Sequence, residues 1–425
     1  MTLSPKEVKP IEIDQAKKTL MEIYGNPTFK GMDVPNPNLQ GAASIPDSQQ
    51  ELPARSMHDS YQELVIPLGH NTSLRENYMT VAQRIRFGRI LEDLDLFAVL
   101  ICYTHNLIPG GHRVPLPTVT ALVDRIELLE YHPSPYKDLL LCGQVTWVGT
   151  SSMEVTMEVR QEDHSLLQKV MTARFVMAAR HPITEKAAMV NPLKPDGPRE
   201  EYLYKLGESL LMYFYMCTAS GSKIERNKRM QMSLMKVPPS DVERDEIHQL
   251  YLQTTPKEND AFETTQPENA VWMKDTKLMN MVICQPEERN MYNRIFGGFL
   301  MRMACELAWA NASRYCRSRS LDLEILDHVI FLNPVEIGSL LLLSSKIVYT
   351  ESKTMQVKVH AEVLDPETTS TKTTNYFFFT FNGPNDVPRV WPHTYEEFML
   401  YLEGKRHIKY PDLTAVEEVS EQHPV

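Results

Sequence analysis

Residues 153–159 read Met-Glu-Val-Thr-Met-Glu-Val, and residues 355–361 read Met-Gln-Val-Lys-Val-His-Ala. Apolar and polar side chains alternate in both stretches, which is typical of a β-strand with one buried face. The stretches are 202 positions apart (355 − 153), and the same step relates Trp147–Ala179 to Tyr349–Phe381. The repetition therefore predicts two copies of one structural unit in a single chain.

Each copy also contains a helix that starts at a glycine. The first is predicted over 88–103, beginning Phe87-Gly88-Arg89, and the second over 297–313, beginning Gly297-Gly298-Phe299. Apolar side chains recur every three or four residues in both, so each helix carries a wide apolar stripe suited to burial in a curved sheet. Strands are predicted downstream of each helix, at 116–129, 139–148, 153–160, 169–179, 324–332, 339–349, 354–363 and 373–382. One helix packed against several strands, present twice, indicates an α+β fold.

The chain divides around these two copies. Residues 35–53 are dominated by Pro, Asn, Ser, Gln and Gly, so we expect a flexible lead-in before the first unit. Helices are predicted over 199–211 and 241–252, the second with Asp241 as its cap, and a short extra helix over 395–402. The expected organisation is a lead-in (1–56), a first unit (57–184), a helical and loop connection (185–262), a second unit (263–410) and a C-terminal tail (411–425).

Bulk properties exclude several classes of protein. The net charge of −11 and pI near 5.7 argue against nucleic acid as the main partner, because phosphate binding needs clustered cations. No apolar run approaches the roughly 20 residues of a membrane-spanning helix, so we expect no stable membrane insertion. The six cysteines show no close pairing, which favours reduced thiols.

Common catalytic motifs are missing from the sequence. It contains no Gly-x-Ser-x-Gly elbow, no phosphate-binding or dinucleotide-binding glycine loop, and no His-Glu-x-x-His or Cys-x-x-Cys zinc motif. A glycine at a buried helix start offers free N–H groups and the positive end of the helix dipole, which can stabilise an oxyanion near Gly298. The alternative role of the Gly297-Gly298 pair is close packing of helix against sheet.

Two helix carboxylates could supply the complementary acid or base. Asp95 follows Gly88 by seven residues (95 − 88), and Glu306 follows Gly298 by eight (306 − 298). A carboxylate in such a place can activate water or attack a substrate directly. Solvation is the usual fate of helix carboxylates and is the alternative for each.

Several stretches resemble a known family. Asn293-Arg294-Ile295-Phe296-Gly297-Gly298-Phe299-Leu300-Met301 resembles the helix start of HotDog-fold acyl-coenzyme A thioesterases. Residues 86–95, 100–103, 145–149, 288–309 and 399–407 resemble, more specifically, the acyl-coenzyme A thioesterase 9 family. The resemblance covers roughly residues 57 to 407 and implies a tandem HotDog, in which each antiparallel sheet wraps its own helix and the two units form a pseudo-dimer.

The resemblance also implies an active pair, an Asn before one helix and an acid on the helix of the other unit. Asn293 and Asp95 match these positions, and Glu306 matches the acid of its own half with an offset of one residue. The first unit has Phe87-Gly88 in place of Gly-Gly and no equivalent Asn, which favours one functional site per chain. Five arginines near the helices could meet the phosphates of coenzyme A, or could simply be solvated: Arg84, Arg86, Arg89, Arg294 and Arg302.

The expected function is hydrolysis of acyl-CoA to free fatty acid and coenzyme A, with no cofactor beyond the coenzyme A of the substrate itself. A non-catalytic acyl-CoA sensor is the alternative. A HotDog hydratase is disfavoured because no Asp has His five positions on. Family resemblance implies a homo-oligomer, with a trimer of double units among the options, and residence in the mitochondrial matrix. The first 54 residues contain lysines but no arginine, unlike a presequence, so the cytoplasm stays an alternative.

Overall fold

The structure is a computed structural model that describes residues 10–24, 46, 48–107, 116–129, 131–217, 234, 238–254, 264–290, 294–327, 329–366 and 368–409. The α-helices in these ranges are α1 (Ile13–Tyr24), α2 (Thr72–Tyr78), α3 (Phe87–His105), α4 (Pro198–Cys217), α5 (Asp241–Leu252), α6 (Gly297–Cys316) and α7 (Tyr395–Lys409). The strands are β1 (Ile11–Glu12), β2 (Gln62–Ile66), β3 (Thr118–Val123), β4 (Ile126–Glu127), β5 (Leu139–Val148), β6 (Ser152–Asp163), β7 (Leu166–Ala179), β8 (Ala270–Trp272), β9 (Leu278–Ile283), β10 (Asp322–Leu326), β11 (Val329–Ile330), β12 (Leu340–Glu351), β13 (Thr354–Leu364), β14 (Thr371–Asn382) and β15 (Arg389–Trp391).

Two large sheets form the body of the molecule. The first has the order β1-β2-β5-β6-β7-β3-β11 and the second β4-β10-β14-β13-β12-β9. Each sheet ends on a short strand from the other half, because β11 pairs with β3 and β4 pairs with β10. The two units are therefore joined edge to edge. With α3 and α6 packed on the inner faces, this is a tandem HotDog, as the sequence predicts.

Matching β-bulges show that the two halves are copies. Thr146 is the extra residue between β5 and β6, and Val348 is the extra residue between β12 and β13, a step of 202 (348 − 146). The same frame does not extend to the last strand of each unit. Phe175 lies opposite Val155 and Phe379 opposite Val357, so the step between β7 and β14 is 204 (379 − 175). The turn before β14 is longer than the turn before β7, which accounts for the two extra residues in the step. Because the shift is even, every side chain stays on its own face of the sheet.

The two central helices cross at glycines. A Cβ atom on Gly298 would lie 2.9 Å from the Glu92 Cα, and one on Gly88 would lie 3.5 Å from the Arg302 Cα. Adding 210 to Gly88 gives Gly298, and adding 210 to Glu92 gives Arg302, so each glycine contacts the counterpart of the residue that the other contacts. Helices α3 and α6 are therefore related by a pseudo-two-fold axis. Glu92 and Arg302, equivalent under that axis, lie within 3.1 Å of each other and form an ion pair.

The predicted connection over 185–262 contains part of the repeat. On α4, Gly207 packs on Trp147, where an added Cβ would lie 2.4 Å from the tryptophan Cβ. On α7, a Cβ atom added to Gly404 would lie 2.7 Å from Val348 and 3.1 Å from the Cβ of Tyr349. Tyr349 is the counterpart of Trp147 under the step of 202 (349 − 147). Helix α4 is therefore the outer helix of the first unit, and α7 is its counterpart rather than a short extra helix. The predicted helical and loop connection over 185–262 therefore includes a helix that covers Trp147 of the first unit, as α7 covers Tyr349 of the second.

The predicted flexible lead-in is also partly wrong. Strand β1 pairs in parallel with β2, and Ile13 and Ala16 of α1 are fully buried against the first unit. Lys17 lies 3.5 Å from the buried Asp93 carboxylate on α3. Ile13, Ala16 and Leu20 recur at helical spacing, which is the sequence pattern that indicates α1. The Pro-rich composition of the stretch that follows favoured a flexible segment instead.

Helix α5 packs on the second unit. Ser240, not the predicted Asp241, caps it, and the Glu243 side chain completes a capping box. The same Glu243 carboxylate accepts hydrogen bonds from Arg406 of α7 at 2.7 and 2.8 Å. These bonds hold the pKa of Glu243 well below its usual value, at about 2.

A buried carboxyl group lies between the first sheet and α4. Glu154 is 1% exposed, and its Oε1 accepts hydrogen bonds from Thr146 and Thr156. Its Oε2 has no hydrogen-bond donor among the described residues. Burial raises the pKa of Glu154 to about 7, although the positive charge of nearby Arg174 lowers that pKa. The equivalent residue in the second unit is Gln356, a neutral isostere that is equally buried.

We predict that Gly298→Ala separates the central helices. The added methyl group meets backbone atoms of Glu92, which cannot rotate away, and overpacking of this kind costs about 3 kcal/mol. Chemical denaturation followed by circular dichroism measures the change. Gly88→Ala is the matched control, since its nearest contact is 3.3 Å, and we expect less than about 1 kcal/mol for it. Equal losses in both variants would contradict the assigned crossing.

We predict that Glu154→Gln makes stability less dependent on pH. The folded pKa of about 7 lies above the ordinary 4.5, so the folded protein holds a proton that the unfolded chain releases. Wild-type stability therefore falls as pH rises from about 4.5 to 7 and stays lower above that, by roughly 1 to 3 kcal/mol. Thermal melting at pH 5 and pH 8 measures this. Glu162→Gln, exposed on the same strand, should melt like the wild type at both pH values.

Candidate active site

Asp95 lies where the two units meet. It is on α3, 2% exposed, and both of its oxygen atoms accept hydrogen bonds. The Thr120 hydroxyl on β3 donates to Oδ1. The Gly298 N–H at the start of α6 donates to Oδ2 at 2.6 Å. A carboxylate from one unit therefore caps the helix of the other, where the positive end of the dipole favours negative charge.

Opposing effects set the proton affinity of this carboxyl group. Burial raises the pKa of Asp95 to about 6 from its ordinary 3.8, while the hydrogen bonds from Thr120 and Gly298 oppose the rise. The nearby Glu92 adds to the increase. Asp95 is thus ionised at neutral pH yet more basic than a solvated aspartate, which suits it to accept a proton.

The start of α6 provides backbone donors beside this carboxylate. The first N–H groups of a helix have no carbonyl partner within it. The sequence predicts that Gly298 holds an oxyanion, but in the structure its N–H donates to Asp95. The neighbouring Gly297 lies close as well, since a Cβ atom there would be 3.5 Å from Asp95 Oδ2 and 3.0 Å from the Phe331 ring. Only a glycine fits at either position without displacing these groups.

Asn293 lies outside the residues that the structure describes. The chain resumes at Arg294, whose carbonyl accepts a 2.6 Å hydrogen bond from the Asn290 N–H. Three residues beyond Arg294, helix α6 begins beside Asp95. The pairing of Asn293 with Asp95 therefore stays a prediction.

Glu306 does not occupy the position of an acid equivalent to Asp95. The pseudo-two-fold step of 210 relates Asp95 to Cys305, a buried thiol (305 − 95). Glu306 is one residue further, about 100° around the helix. Its side chain is 32% exposed and forms an ion pair with Arg86 at 2.5 Å. The offset of one residue therefore places the Glu306 carboxylate on a different face of α6 from Cys305.

The five candidate coenzyme-binding arginines already have carboxylate partners. Arg89 and Arg302 both pair with Glu92, and Arg302 also pairs with Glu288 at 3.0 Å. The partners of Arg84, Arg86 and Arg294 are, in that order, Asp322, Glu306 and Glu185. The Arg294–Glu185 contact is the loosest, at 3.3 Å between exposed side chains. The structure does not present these five as a cluster of unpaired cations.

Thr120 is the site residue that sequence reasoning missed. It lies on β3 of the first unit and reaches Asp95 through the folding of the sheet over α3. Its Oγ1 also lies 3.5 Å from the Met177 sulfur. Nothing in the local sequence distinguishes it from other strand threonines, so only the three-dimensional contact identifies it.

The fold defines a tandem HotDog protein in which a buried carboxylate of one unit is bound by the helix start of the other. Residues 292–370 match the family model described as Thioesterase superfamily. Human acyl-coenzyme A thioesterase 9, mitochondrial, is 46% identical over 95% of this chain and 90% of its own length. Mouse acyl-coenzyme A thioesterase 10, mitochondrial, is 42% identical over 94% and 89%. This chain belongs to the acyl-coenzyme A thioesterase family.

Among solved structures, an acyl-CoA hydrolase from Staphylococcus aureus aligns with 34% of this chain and 91% of its own, at 22% identity and a TM-score of 0.32. An acyl-ACP thioesterase from Bacteroides thetaiotaomicron aligns with 77% of this chain and 100% of its own, at 12% identity and a TM-score of 0.42. No helix in the described ranges is both long and apolar enough to span a membrane.

Proposed function

We propose that this thioester hydrolase cleaves acyl-CoA at one site per chain, with Asp95 as the general base. The observation that carries the proposal is the hydrogen bond from Gly298 N–H of one unit to the Asp95 carboxylate of the other. It holds a buried, ionised base beside a helix N-terminus, where the reacting carbonyl can meet backbone donors.

The proposed chemistry needs only water and this site. Asp95 takes a proton from a water molecule, whose oxygen forms a bond to the thioester carbonyl carbon. The carbon–sulfur bond then breaks, and the proton on Asp95 passes to the coenzyme A thiolate. The Gly297 N–H, one position before the N–H that binds Asp95, donates to the developing oxyanion. No cofactor other than the substrate's own coenzyme A is required.

Asn293 is proposed to orient the water or the carbonyl. This role follows from family resemblance and from its place in the sequence just before α6. Arg294 directly follows it, and its exposed pairing with Glu185 would exchange most readily for a substrate phosphate. Arg302 is 14% exposed and paired twice, so we assign it to positioning Glu92 beside the site.

The second pseudo-equivalent site is proposed to be inactive. Cys305 stands where Asp95 stands in the first, and burial raises the pKa of its thiol to about 12. A protonated thiol of this kind is neither a base nor a nucleophile at neutral pH. The equivalent helix start has Phe87-Gly88, so it also lacks the first glycine.

The assembly and compartment are proposed from the relatives. Several relatives have the word mitochondrial in their names, and we place this chain in the mitochondrial matrix. One solved neighbour is described as a hexameric acyl-CoA thioesterase, and three double units supply six HotDog units. We therefore propose a homotrimer.

We predict that Asp95→Asn lowers the rate of thiol release from acyl-CoA by about 10²- to 10⁴-fold, since it removes the base and keeps the shape. Asn293→Ala should also reduce turnover. A series of acyl chain lengths assayed with a thiol reagent measures this. Glu306→Gln is the matched control and should retain turnover, because that carboxylate is on another face. Undiminished rates in both Asp95→Asn and Asn293→Ala would dismiss the mechanism, and saturable binding without hydrolysis by the wild type would favour an acyl-CoA sensor.

We predict that Thr120→Val moves the acid limb of kcat/KM to higher pH. The wild-type limb should lie near pH 6, the pKa of Asp95, with activity lost below it. The Thr120 hydrogen bond lowers that pKa, so its removal raises the pKa by roughly one unit. Thr120→Ser keeps the hydroxyl and should keep the wild-type profile. An unchanged profile in Thr120→Val would show that Asp95 does not set the limb.

A further inference from the structure

A surface pocket lies at the opposite end of α6 from Asp95. It has a volume of about 380 Å³ and is lined by Trp309, Ala310, Ser313, Arg314, Arg317, Ser318 and Arg319. Trp309 follows Gly298 by eleven positions (309 − 298), which is about 16 Å along the helix at 1.5 Å per residue. The pocket is therefore separate from the carboxylate site.

Three of its side chains are cations without a carboxylate partner among the described residues. Within the described ranges, no carboxylate lies within ion-pair distance of Arg314, Arg317 or Arg319. Arg314 is instead oriented by the carbonyl groups of Asp275 and Lys277, each 3.4 Å from its Nη2. In a chain with a net charge of −11, these arginines are a local concentration of positive charge that no carboxylate of the described part of the chain neutralises by an ion pair.

Stabilisation of the helix end does not account for these arginines. Arginine near a helix C-terminus complements the dipole, but the Ser313 carbonyl of the last turn is already bonded to backbone N–H groups. The Arg317 and Ser318 N–H groups both donate to the Ser313 carbonyl, and the Ser313 hydroxyl donates to the Ser318 carbonyl. In the first unit the positions equivalent to 314 and 317 are Thr104 and Leu107, so the fold does not require cations there.

Arg317 occupies a position that favours glycine. Its φ is 55°, in the left-handed region that commonly ends helices with Gly or Asn. A long charged side chain is retained in spite of this conformational cost. Arg317 lines the same pocket as Trp309, an aromatic residue that is partly buried against the core.

We propose that this pocket binds a phosphate-bearing nucleotide, with the base against Trp309 and the phosphates on Arg314, Arg317 and Arg319. Guanidinium groups match phosphate oxygens in geometry and charge, and a tryptophan face stacks on a heteroaromatic ring. The pocket is open to solvent, and its volume of about 380 Å³ is within the roughly 300 to 1,000 Å³ of small-ligand sites. The nucleotide is either free or the nucleotide end of a coenzyme A molecule, and both present the same chemistry.

Isothermal titration of the full chain with ADP at low salt tests the proposal. The wild type should bind ADP saturably, and Arg314→Ala/Arg317→Ala should weaken binding at least tenfold. Trp309→Ala should weaken ADP binding more than it weakens binding of inorganic pyrophosphate, which has no ring. Arg244→Ala, an exposed arginine on α5, is the control and should bind like the wild type. Circular dichroism melting of each variant confirms that it folds.

A second titration with saturating desulfo-coenzyme A present separates the two sources. If ADP still binds in the presence of desulfo-coenzyme A, and this binding depends on the arginines, the pocket binds a free nucleotide. Arginine-dependent binding that desulfo-coenzyme A displaces assigns it to the nucleotide end of coenzyme A. Absence of ADP binding, or binding that is equally strong in the arginine and tryptophan variants, overturns the proposal. Because the readout is binding, these results hold whether or not Asp95 is the base.

Discussion

The close crossing of α3 and α6 is the constraint on which the rest of the structure depends. Backbone meets backbone there, because any side chain at position 298 would lie 2.9 Å from atoms of the opposite helix. That proximity lets a short aspartate side chain reach across to the Gly298 N–H at 2.6 Å. It also fixes how the two sheets meet, since each is wrapped around one of the crossing helices. A wider crossing would keep two HotDog units but would lose the carboxylate that they share.

Gene duplication freed the two halves from the symmetry of a homodimer. At a true two-fold axis identical side chains would face each other, and two copies of Glu92 would repel. Here the copies have diverged to Glu92 and Arg302, which attract. The same divergence gives Asp95 opposite Cys305, and Glu154 in one sheet where Gln356 stands in the other. One half thereby carries the buried carboxylate, and the other carries the glycine-rich helix start that donates a hydrogen bond to it.

Much of this architecture could be predicted from periodicity, and the failures have physical causes. The predicted helix starts and the predicted strand at 139–148 agree with the structure within a residue. Alternating apolar residues in strands and apolar stripes on helices directly reflect which side chains are buried. The outer helices were missed as a repeat because their step is 197 (404 − 207) rather than 202. At that step Glu200, Leu203 and Tyr204 do match Glu397, Leu400 and Tyr401. Glu306 was misplaced because one residue on a helix changes its face. Thr120 could not be found at all, because its role depends on a contact between strand and helix that no spacing encodes.

Two buried carboxyl groups of the first unit show how the fold sets their chemistry. Asp95 and Glu154 are both almost fully buried, and burial raises the pKa of each. Asp95 has a donor for each oxygen, one of them at a helix N-terminus, and its pKa stops at about 6. Glu154 has hydroxyl donors for one oxygen only, and its pKa reaches about 7. At neutral pH the first is therefore mostly ionised and the second is about half protonated. The ordinary pKa values of 3.8 for Asp95 and 4.5 for Glu154 account for most of this difference. The Thr120 hydroxyl and the Gly298 N–H both lower the pKa of Asp95, so the helix crossing that joins the units also favours the ionised form of their shared carboxylate.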